Sequence, residues 1–404
     1  MNNTIFVVNA GSSSIKFQLF SVNEHGQCDR LMKGMFDGIG SRPHLFAADE
    51  DKTIVDRTWR ADEIDGVPGA LEEVVSFVRG YGKGKLPIAV GHRVVHGGPD
   101  HSAPTIVNEE VLRQLEALIP LAPLHQPNNL APIRLLLARQ PHLPQVACFD
   151  TAFHRGHSEI ADRYAIPEDL YLEGVRRYGF HGLSYEYIAK NLGVVAPELE
   201  GKRVIVAHLG SGASMCALVG GRSVESTMGF TALDGLPMGT RPGQIDAGVI
   251  LYLMDQKRLG SRELYDFLYA QCGLKGLSGI SNDVRELLAS SDPRARLTLD
   301  YFTYRIVLFA GLLAAAMRGL DGFIFTAGVG EHAPSIREAV IRQLDWLGIE
   351  LDGEANKQSA LRISTRGSRV GCYVIPTDEE QMIARHTWLV VTERAGSRVR
   401  EIRA

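Results

Sequence analysis

The sequence predicts an α/β protein with mixed sheets and two domains. Short β-forming runs alternate with helical apolar patterns along the whole chain. Its 404 residues, 45% hydrophobic and 22% charged, exceed what one core takes in, since single cores stop growing near ~250–300 residues. A third observation is internal. "VVNAGSSSIKFQLF" (7–20) lies without gaps over "VAHLGSGASMCALV" (206–219), with Val7, Gly11, Ser12 and Leu19 on Val206, Gly210, Ser211 and Leu218. Each half is therefore expected to open its sheet with a strand, a polar hairpin turn and a strand.

In chain order, the first hairpin turn carries Ser12, Ser13 and Ser14, with Lys16 just beyond it. Hydroxyls, backbone N–H groups and one ammonium at a tight turn suit an anion, although serine-rich turns also occur without ligands. Residues 38–70 are polar and irregular, the pattern of a surface excursion. "LPIAVGHRVVHGG" (86–98) reads as a buried strand ending in a glycine-rich turn, and "VLRQLEALIPLAPLHQP" (111–127) as a helix stopped by prolines. "ARQPHLPQVACFDTAFH" (138–154) holds a buried strand that delivers Asp150 to its end, and "RRYGFHGLSYEYIAKNL" (176–192) runs from a loop into an amphipathic helix. "GFIFTAGVGEHAPSIREAVIRQLDWLG" (322–348) is a buried strand, a double-glycine loop and a helix. Pro334 stands in its first turn, and Ile336, Val340, Ile341, Leu344 and Leu347 form its apolar face. That order suits a nucleotide-binding device as well as a plain strand-to-helix connection.

Composition removes several classes. A net charge of -4 without long charge runs leaves no nucleic-acid footprint and no polybasic membrane patch. The longest apolar stretches, such as "IVLFAGLLAAAM" (306–317), fall short of the ~20 residues of a membrane span. The N-terminal apolar run meets serines within a few residues, unlike a signal sequence, so a cytoplasmic protein is expected. Cys28, Cys148, Cys216, Cys272 and Cys372 are odd in number and far apart, which reads as reduced core thiols. His154 and His157 in "HRGH" read as exposed loop histidines rather than a metal pair. Neither a G-x-x-x-x-G-K-[ST] nor a G-x-G-x-x-G signature is present, which argues against a P-loop or Rossmann enzyme.

Arginines in glycine-rich settings stand out: Arg93, Arg241 and Arg285. Each suits either close approach to a phosphate or a structural salt bridge. Together with Lys16, the loop histidines and the strand-end Asp150 they fit phosphoryl transfer, which requires mainly positioning and positive charge. A carboxylate such as Asp150 or Glu379 would hold Mg²⁺ or orient the acceptor. The residues by themselves lead as far as an ATP-type phosphotransferase with a small acidic partner.

The motifs "NAGSSSIKF", "GHRVVHGG", "PLHQPNN", "FDTAFH", "RYGFHGLSY", "HLGSGAS", "MGFTALDGLPMGTRPG", "GLSGISNDVREL", "FTAGVGEH" and "PTDEEQMIAR" run in order from residue 5 to 385. In them the sequence resembles the acetate kinase family of the sugar kinase, heat-shock ATPase and actin superfamily. The resemblance implies a duplicated ribonuclease H-like, actin-like ATPase fold with a nucleotide cleft between two domains. These would be an acyl-substrate domain, 1–150 with a returning segment 386–404, and a nucleotide-binding domain, 151–385. It further implies a homodimer and reversible, Mg²⁺-dependent (or Mn²⁺-dependent) transfer of the ATP γ-phosphoryl to acetate, giving acetyl phosphate and ADP.

Carried over motif by motif, the resemblance gives Asn9 and Glu379 to the metal and Lys16 to the phosphates. Arg93 would bind the substrate carboxylate, Asp150 would be the catalytic carboxylate, and His181 and Arg241 would stabilise the transferring phosphoryl. The nucleotide would take His208, Leu209, Gly210, Ser211 and Gly212, then Asp283, Val284 and Arg285, and then Gly328, Val329, Gly330, Glu331 and His332. The acyl methyl would meet Val95, Leu124, Phe180 and Ala232. Ala232 stands where proline is frequent in the family, and Ser211, His332 and Gln244 where Asn, Asn and Asp are commoner. A propionate or butyrate kinase, a pyrophosphate-using sibling and a non-catalytic nucleotide-driven module are the alternatives. The last is disfavoured because Arg93, Asp150, His181 and Arg241 are all present.

Overall fold

The computed structural model describes residues 3–11, 13–49 and 52–403, with side chains as far as residue 394. Ser12 of the first hairpin turn lies outside the described residues. The chain divides into two compact units, Met1–Ala152 with Asp378–Ala404, and Phe153–Thr377. The first unit thus begins its returning segment at Asp378 rather than at 386. The physical reason is continuity: a single helix, Glu379–Arg403, carries the segment and does not break at 386.

The first unit is built on β1 (Thr4–Ala10), β2 (Ile15–Val22), β3 (Cys28–Asp37), β4 (His44–Asp49), β5 (Lys52–Thr58), β6 (Ala89–Val94), β7 (Thr105–Ile106) and β8 (Gln145–Phe149), in the order β5-β4-β3-β2-β1-β6-β8-β7. Strands β1 to β5 form antiparallel neighbours, whereas β1, β6 and β8 run parallel. Phe6, Val8, Phe17, Leu19 and Val90 on one face meet Leu71, Val74 and Val78 of helix Gly66–Tyr81 and Leu136 of helix Gln126–Arg139. The other face receives helix Glu379–Arg403, which is admitted by a missing side chain. A Cβ at Gly91 would stand 2.4 Å from Thr387 Oγ1 and 2.6 Å from Ile383 Cγ2.

The second unit repeats the central part of this plan with β9 (Arg203–Leu209), β10 (Ala213–Val219), β11 (Arg222–Ser226), β12 (Gly322–Thr326) and β13 (Gly371–Val374), ordered β11-β10-β9-β12-β13. Here too the opening strands pair antiparallel and β9, β12 and β13 run parallel. The two Gly-Ser repeats occupy equivalent positions, as the turns of β1-β2 and β9-β10. Tyr185, Ile188 and Leu192 of helix Gly182–Val195 pack with Val204, Val206, Cys216, Leu218 and Ile324. Phe302, Ile306, Phe309 and Leu313 are buried along one side of helix Pro293–Ala316.

Several expectations need correction. Residues 38–70 hold β4, β5 and the start of helix Gly66–Tyr81, because Leu45, Ala47 and Ala48 are buried and give the short strands an inner face. The helix read at 111–127 is two elements: Asn108 caps Glu109–Ala117 through the Val111 N–H, and Gln126 opens a new helix. The double-glycine loop is itself a short helix, Ala327–His332, followed by Pro334–Ile341 with Pro334 in its first turn. His154 and His157 are not exposed: the His154 residue is 0% exposed, the His157 side chain 2%, and both rings hydrogen-bond Ser223 Oγ at 2.8 and 2.7 Å. Among the described residues one helix, Pro293–Ala316, is long and apolar enough to cross a membrane by length and composition, which the shorter stretch quoted from the sequence did not bring out. Its buried side makes it a packing element of the second unit. None of the five cysteines forms a disulfide, and four of them are buried.

Gly91→Ala is expected to lower stability by about 1–3 kcal/mol, the range for overpacking a tight contact. A urea titration of the intact chain checks this; an unchanged midpoint would show that the final helix yields at no cost.

Candidate functional site

Parallel strands gather side chains at their C-terminal ends, where α/β sheets keep their ligand sites. In the first unit the ends of β1, β6 and β8 bring up Asn9, Arg93 and Asp150. Asp150 is 1% exposed, and Arg93 holds it with two bonds, Nε to Oδ1 at 3.0 Å and Nη2 to Oδ2 at 2.6 Å. Arg93 Nη1 also donates to Asn9 Oδ1 at 3.3 Å. The final helix contributes its first residues, with Glu379 Oε2 3.8 Å from Arg93 Nε and Glu380 Oε1 accepting from Asn9 Nδ2 at 3.4 Å. Lys16 faces Asn9 across the hairpin and is exposed. Burial first, then the nearby Asp150 and Glu380, push the Glu379 carboxyl up to about 7 against the opposing pull of Arg93.

A second layer braces these strand ends. Asn129 accepts from the Val95 N–H at 2.9 Å and donates to the Ala10 carbonyl at 2.6 Å, tying β1 to the turn after β6. Gln126 accepts from the His96 N–H, and Thr151 from the Gly97 N–H. Val95 is buried, whereas Leu124 is 41% exposed.

In the second unit the hairpin turn after β9 is closed by the Gly210 N–H on the Gly212 carbonyl at 3.0 Å. Gly212 leaves the turn open to two side chains: a Cβ there would lie 2.9 Å from Arg241 Nη2 and 3.3 Å from His181 Nε2. Arg241 is anchored by Nη1 on the Ala232 carbonyl at 2.8 Å. His181 takes the left-handed conformation, φ 57°, at the head of helix Gly182–Val195. Its Nδ1 meets Ser214 Oγ at 2.8 Å, which Tyr185 OH also contacts, and its ring stacks on His208 at 4.2 Å. Buried His154 bonds the Phe180 carbonyl at 2.9 Å, one residue before His181. Burial holds the His154 ring neutral, with its pKa lowered to about 4.

β12 runs beside β9, with Thr326 opposite His208, so the Ala327–His332 turn lies next to the hairpin turn. A Cβ at Gly210 would be 3.7 Å from the Ala327 methyl. The Gly239 N–H bonds the Ser211 carbonyl at 3.3 Å, and Gly239 itself abuts Asn282, which leads to Asp283. Asp283 caps helix Val284–Ala289 and accepts from Arg285, whose side chain is 89% exposed. Glu331 folds back onto the Ala327 N–H at 2.8 Å, while the His332 side chain is 79% exposed.

The sequence-derived candidates thus cluster within each unit. Asn9, Arg93, Asp150 and Glu379 come together in the first; His181, His208, Gly212 and Arg241 in the second. Leu124 is half-exposed, and Arg285 turns to its own Asp283. Glu380, Asn129, Gln126, Ser214 and His154 were missed. "PLHQPNN", "FDTAFH" and "HLGSGAS" contain all of these but Glu380, which lies in "PTDEEQMIAR"; no local periodicity marks any of them.

Among the described residues no three His, Cys, Asp or Glu side chains form a ready metal cage. The first unit still fits Mg²⁺, which commonly takes one or two carboxylates and completes its shell with phosphate and water. Asp150, Glu379 and Glu380 stand against Arg93 and Lys16, all with oxygen donors and an excess of negative charge.

An acetokinase family model matches residues 4–385. An acetate kinase of Nitrobacter hamburgensis is 59% identical over 401 residues, 99% of both chains. An acetate kinase of Rhizobium meliloti is 54% identical over 389 residues, 96% of this chain and 98% of the other. Among solved structures, a propionate kinase from Francisella tularensis matches with a TM-score of 0.88 at 36% identity, covering 96% of this chain and 99% of the other. The Porphyromonas gingivalis acetate kinase matches with 0.84 at 35%, covering 96% and 100%.

With its carboxyl pushed up to about 7, Glu379 gains negative charge as pH rises through 7, so a divalent cation, if this cluster takes one, would bind more tightly above that pH than below it. Mn²⁺ titrations followed by EPR at pH 6 and pH 8 are expected to show this rise, and Glu379→Gln to flatten it. Equal affinity at both values would remove Glu379 from the cation site.

Proposed function

Because the chain belongs to the acetokinase family, we propose that it transfers the γ-phosphoryl group of ATP reversibly to acetate, giving acetyl phosphate and ADP. The observation that carries this reading is the convergence of Arg241 Nη2 and His181 Nε2 on the side-chain-free Gly212 turn. Two donors beside a glycine-closed hairpin suit the equatorial oxygens of a transferring phosphoryl group. The chain from Tyr185 OH through Ser214 Oγ to His181 Nδ1 supports a tautomer with the proton on Nε2, aimed outward.

Acetate is ionised at pH 7, so no strong general base is required; the difficulty is like charge meeting like charge. In this reading Arg93 draws the carboxylate in, and Asp150 holds the guanidinium in one orientation rather than removing a proton. Mg²⁺ held by Glu379 and Asn9, with Glu380 behind Asn9, would neutralise phosphate charge. The nucleotide falls to residues 208–212, 283–285 and 328–332, and the methyl to Val95, Leu124, Phe180 and Ala232. Propionate is the second reading, favoured by the similarity to the Francisella propionate kinase and by Ala232 in place of the bulkier proline. One methylene is worth only about 1–3 kcal/mol in such a pocket. The acetate kinase name of relatives at 54–59% identity favours acetate. Free, mostly buried thiols suit a reducing cytoplasm.

We also propose a homodimer seated on helix Pro293–Ala316. Leu297, Tyr301, Tyr304, Leu308 and Leu312 form one exposed apolar stripe along it, with Trp346, 65% exposed, beside Gly311. A stripe of this length is an association surface rather than ordinary scatter of apolar residues.

Purified protein with MgATP and, separately, acetate, propionate and butyrate is expected to yield acyl phosphate, trapped as hydroxamate, most strongly with acetate. Arg241→Ala should lose most turnover while remaining folded. A signal only with a longer acid would move the activity to a sibling, and none with any acid would defeat the kinase reading. Leu308→Glu is expected to convert a dimer to monomers in sedimentation; an unchanged dimer would place the interface elsewhere.

A further inference from the structure

Arg337 is 0% exposed, yet among the described residues no carboxylate bonds it. Its five N–H donors meet five acceptors instead. Nη1 donates to the carbonyls of Gly330 at 2.8 Å and Glu331 at 2.9 Å. Nε donates to Asn356 Oδ1 at 2.8 Å, and Nη2 to the Asn356 carbonyl at 2.7 Å and Ser359 Oγ at 3.0 Å. Ser359 Oγ in turn donates to the Glu331 carbonyl at 3.1 Å. A buried cation without a counter-ion is a costly way to fill space, and an apolar side chain would do that better. What the guanidinium supplies is a fixed planar fork on the carbonyls of one turn.

That turn needs holding. Ala327, which opens it, sits at φ 65°, a conformation that a residue with a Cβ adopts reluctantly, and its methyl is packed toward Gly210 of the neighbouring hairpin turn. Glu331 restrains the front of the turn through the Ala327 N–H, and Arg337 restrains its far end at Gly330 and Glu331. A shift at Gly330 would therefore be passed to Ala327 and from there to Gly210.

We propose that Arg337 is a positioning residue for the nucleotide: from inside the second unit it sets the Gly328–His332 turn in its binding shape without touching the ligand. This rests on the reading that the turn binds nucleotide. Arg337→Lys keeps the charge and loses the fork, so it should raise KM for MgATP and the Kd for ADP by about tenfold, the equivalent of one good charged hydrogen bond. KM for acetate should stay within about twofold, since the effect is confined to the nucleotide side. Ser359→Ala removes one acceptor at an exposed position and should give a smaller rise of the same kind. Gly328→Ser serves as the control for the underlying reading, because its Cβ enters open space and threatens only a bound ligand.

Steady-state kinetics and ADP calorimetry on the intact variants, with melting curves alongside, separate the outcomes. A nucleotide-selective rise in Arg337→Lys and in Ser359→Ala, with Gly328→Ser also impaired toward ATP, supports the proposal. Equal losses toward both substrates, or a lower melting temperature with unchanged KM values, would make Arg337 merely structural while the nucleotide reading stands. Unchanged ATP kinetics in Gly328→Ser would defeat the nucleotide reading itself, and the proposal with it. If Arg337→Lys does not fold, an unchanged ATP KM in Ser359→Ala overturns the proposal alone.

Discussion

The Arg93–Asp150 pair is the interaction on which the order of the first unit's strand ends depends. Asp150 stands at the end of a strand with almost no access to water, and a carboxylate there needs a partner that satisfies both oxygens. The bidentate fork does so, and fixes the guanidinium at the same time. Asn9 then has a defined neighbour on one side and Glu380 on the other, so the cluster of acids is ordered by one cation at its centre. Without that pair the ends of β1, β6 and β8 would carry a set of mutually repelling carboxylates.

Both units solve the problem of placing such groups in the same way. An antiparallel hairpin joined to parallel neighbours brings a glycine turn and the ends of two further strands to a common edge. In the first unit the edge collects charges; in the second it collects donors around a turn whose missing side chain leaves them room. Helices cover the faces, and the edge is left to function. Extra strands β4, β5 and β7 enlarge the first sheet without altering this arrangement.

How much of this could be read beforehand depended on the distance over which each residue acts. The hairpin repeat was legible because apolar runs flanking Gly-Ser are local signals, and Asp150 at the end of a buried strand was legible for the same reason. Asn129 was not: its bonds reach Val95 and Ala10, far away in sequence, and nothing around it announces them. His154 and His157 looked like loop histidines because the partner that both rings bond, Ser223 on β11, is far away in sequence. β4 and β5 were hidden by short length and polar outer faces. Composition underestimated helix Pro293–Ala316 because Arg305 interrupts the apolar count that the fold later spans.

The return of helix Glu379–Arg403 to the first unit has a consequence for how the protein is made. Phe153–Thr377 is one uninterrupted segment, whereas the unit synthesised first lacks the helix that covers one face of its sheet until Glu379–Arg403 has left the ribosome. Folding of the second unit can therefore run ahead during translation, while the first waits. The acidic cluster comes into being only when Glu379 and Glu380 arrive, so a chain halted before them carries Arg93 and Asp150 but no complete acidic cluster.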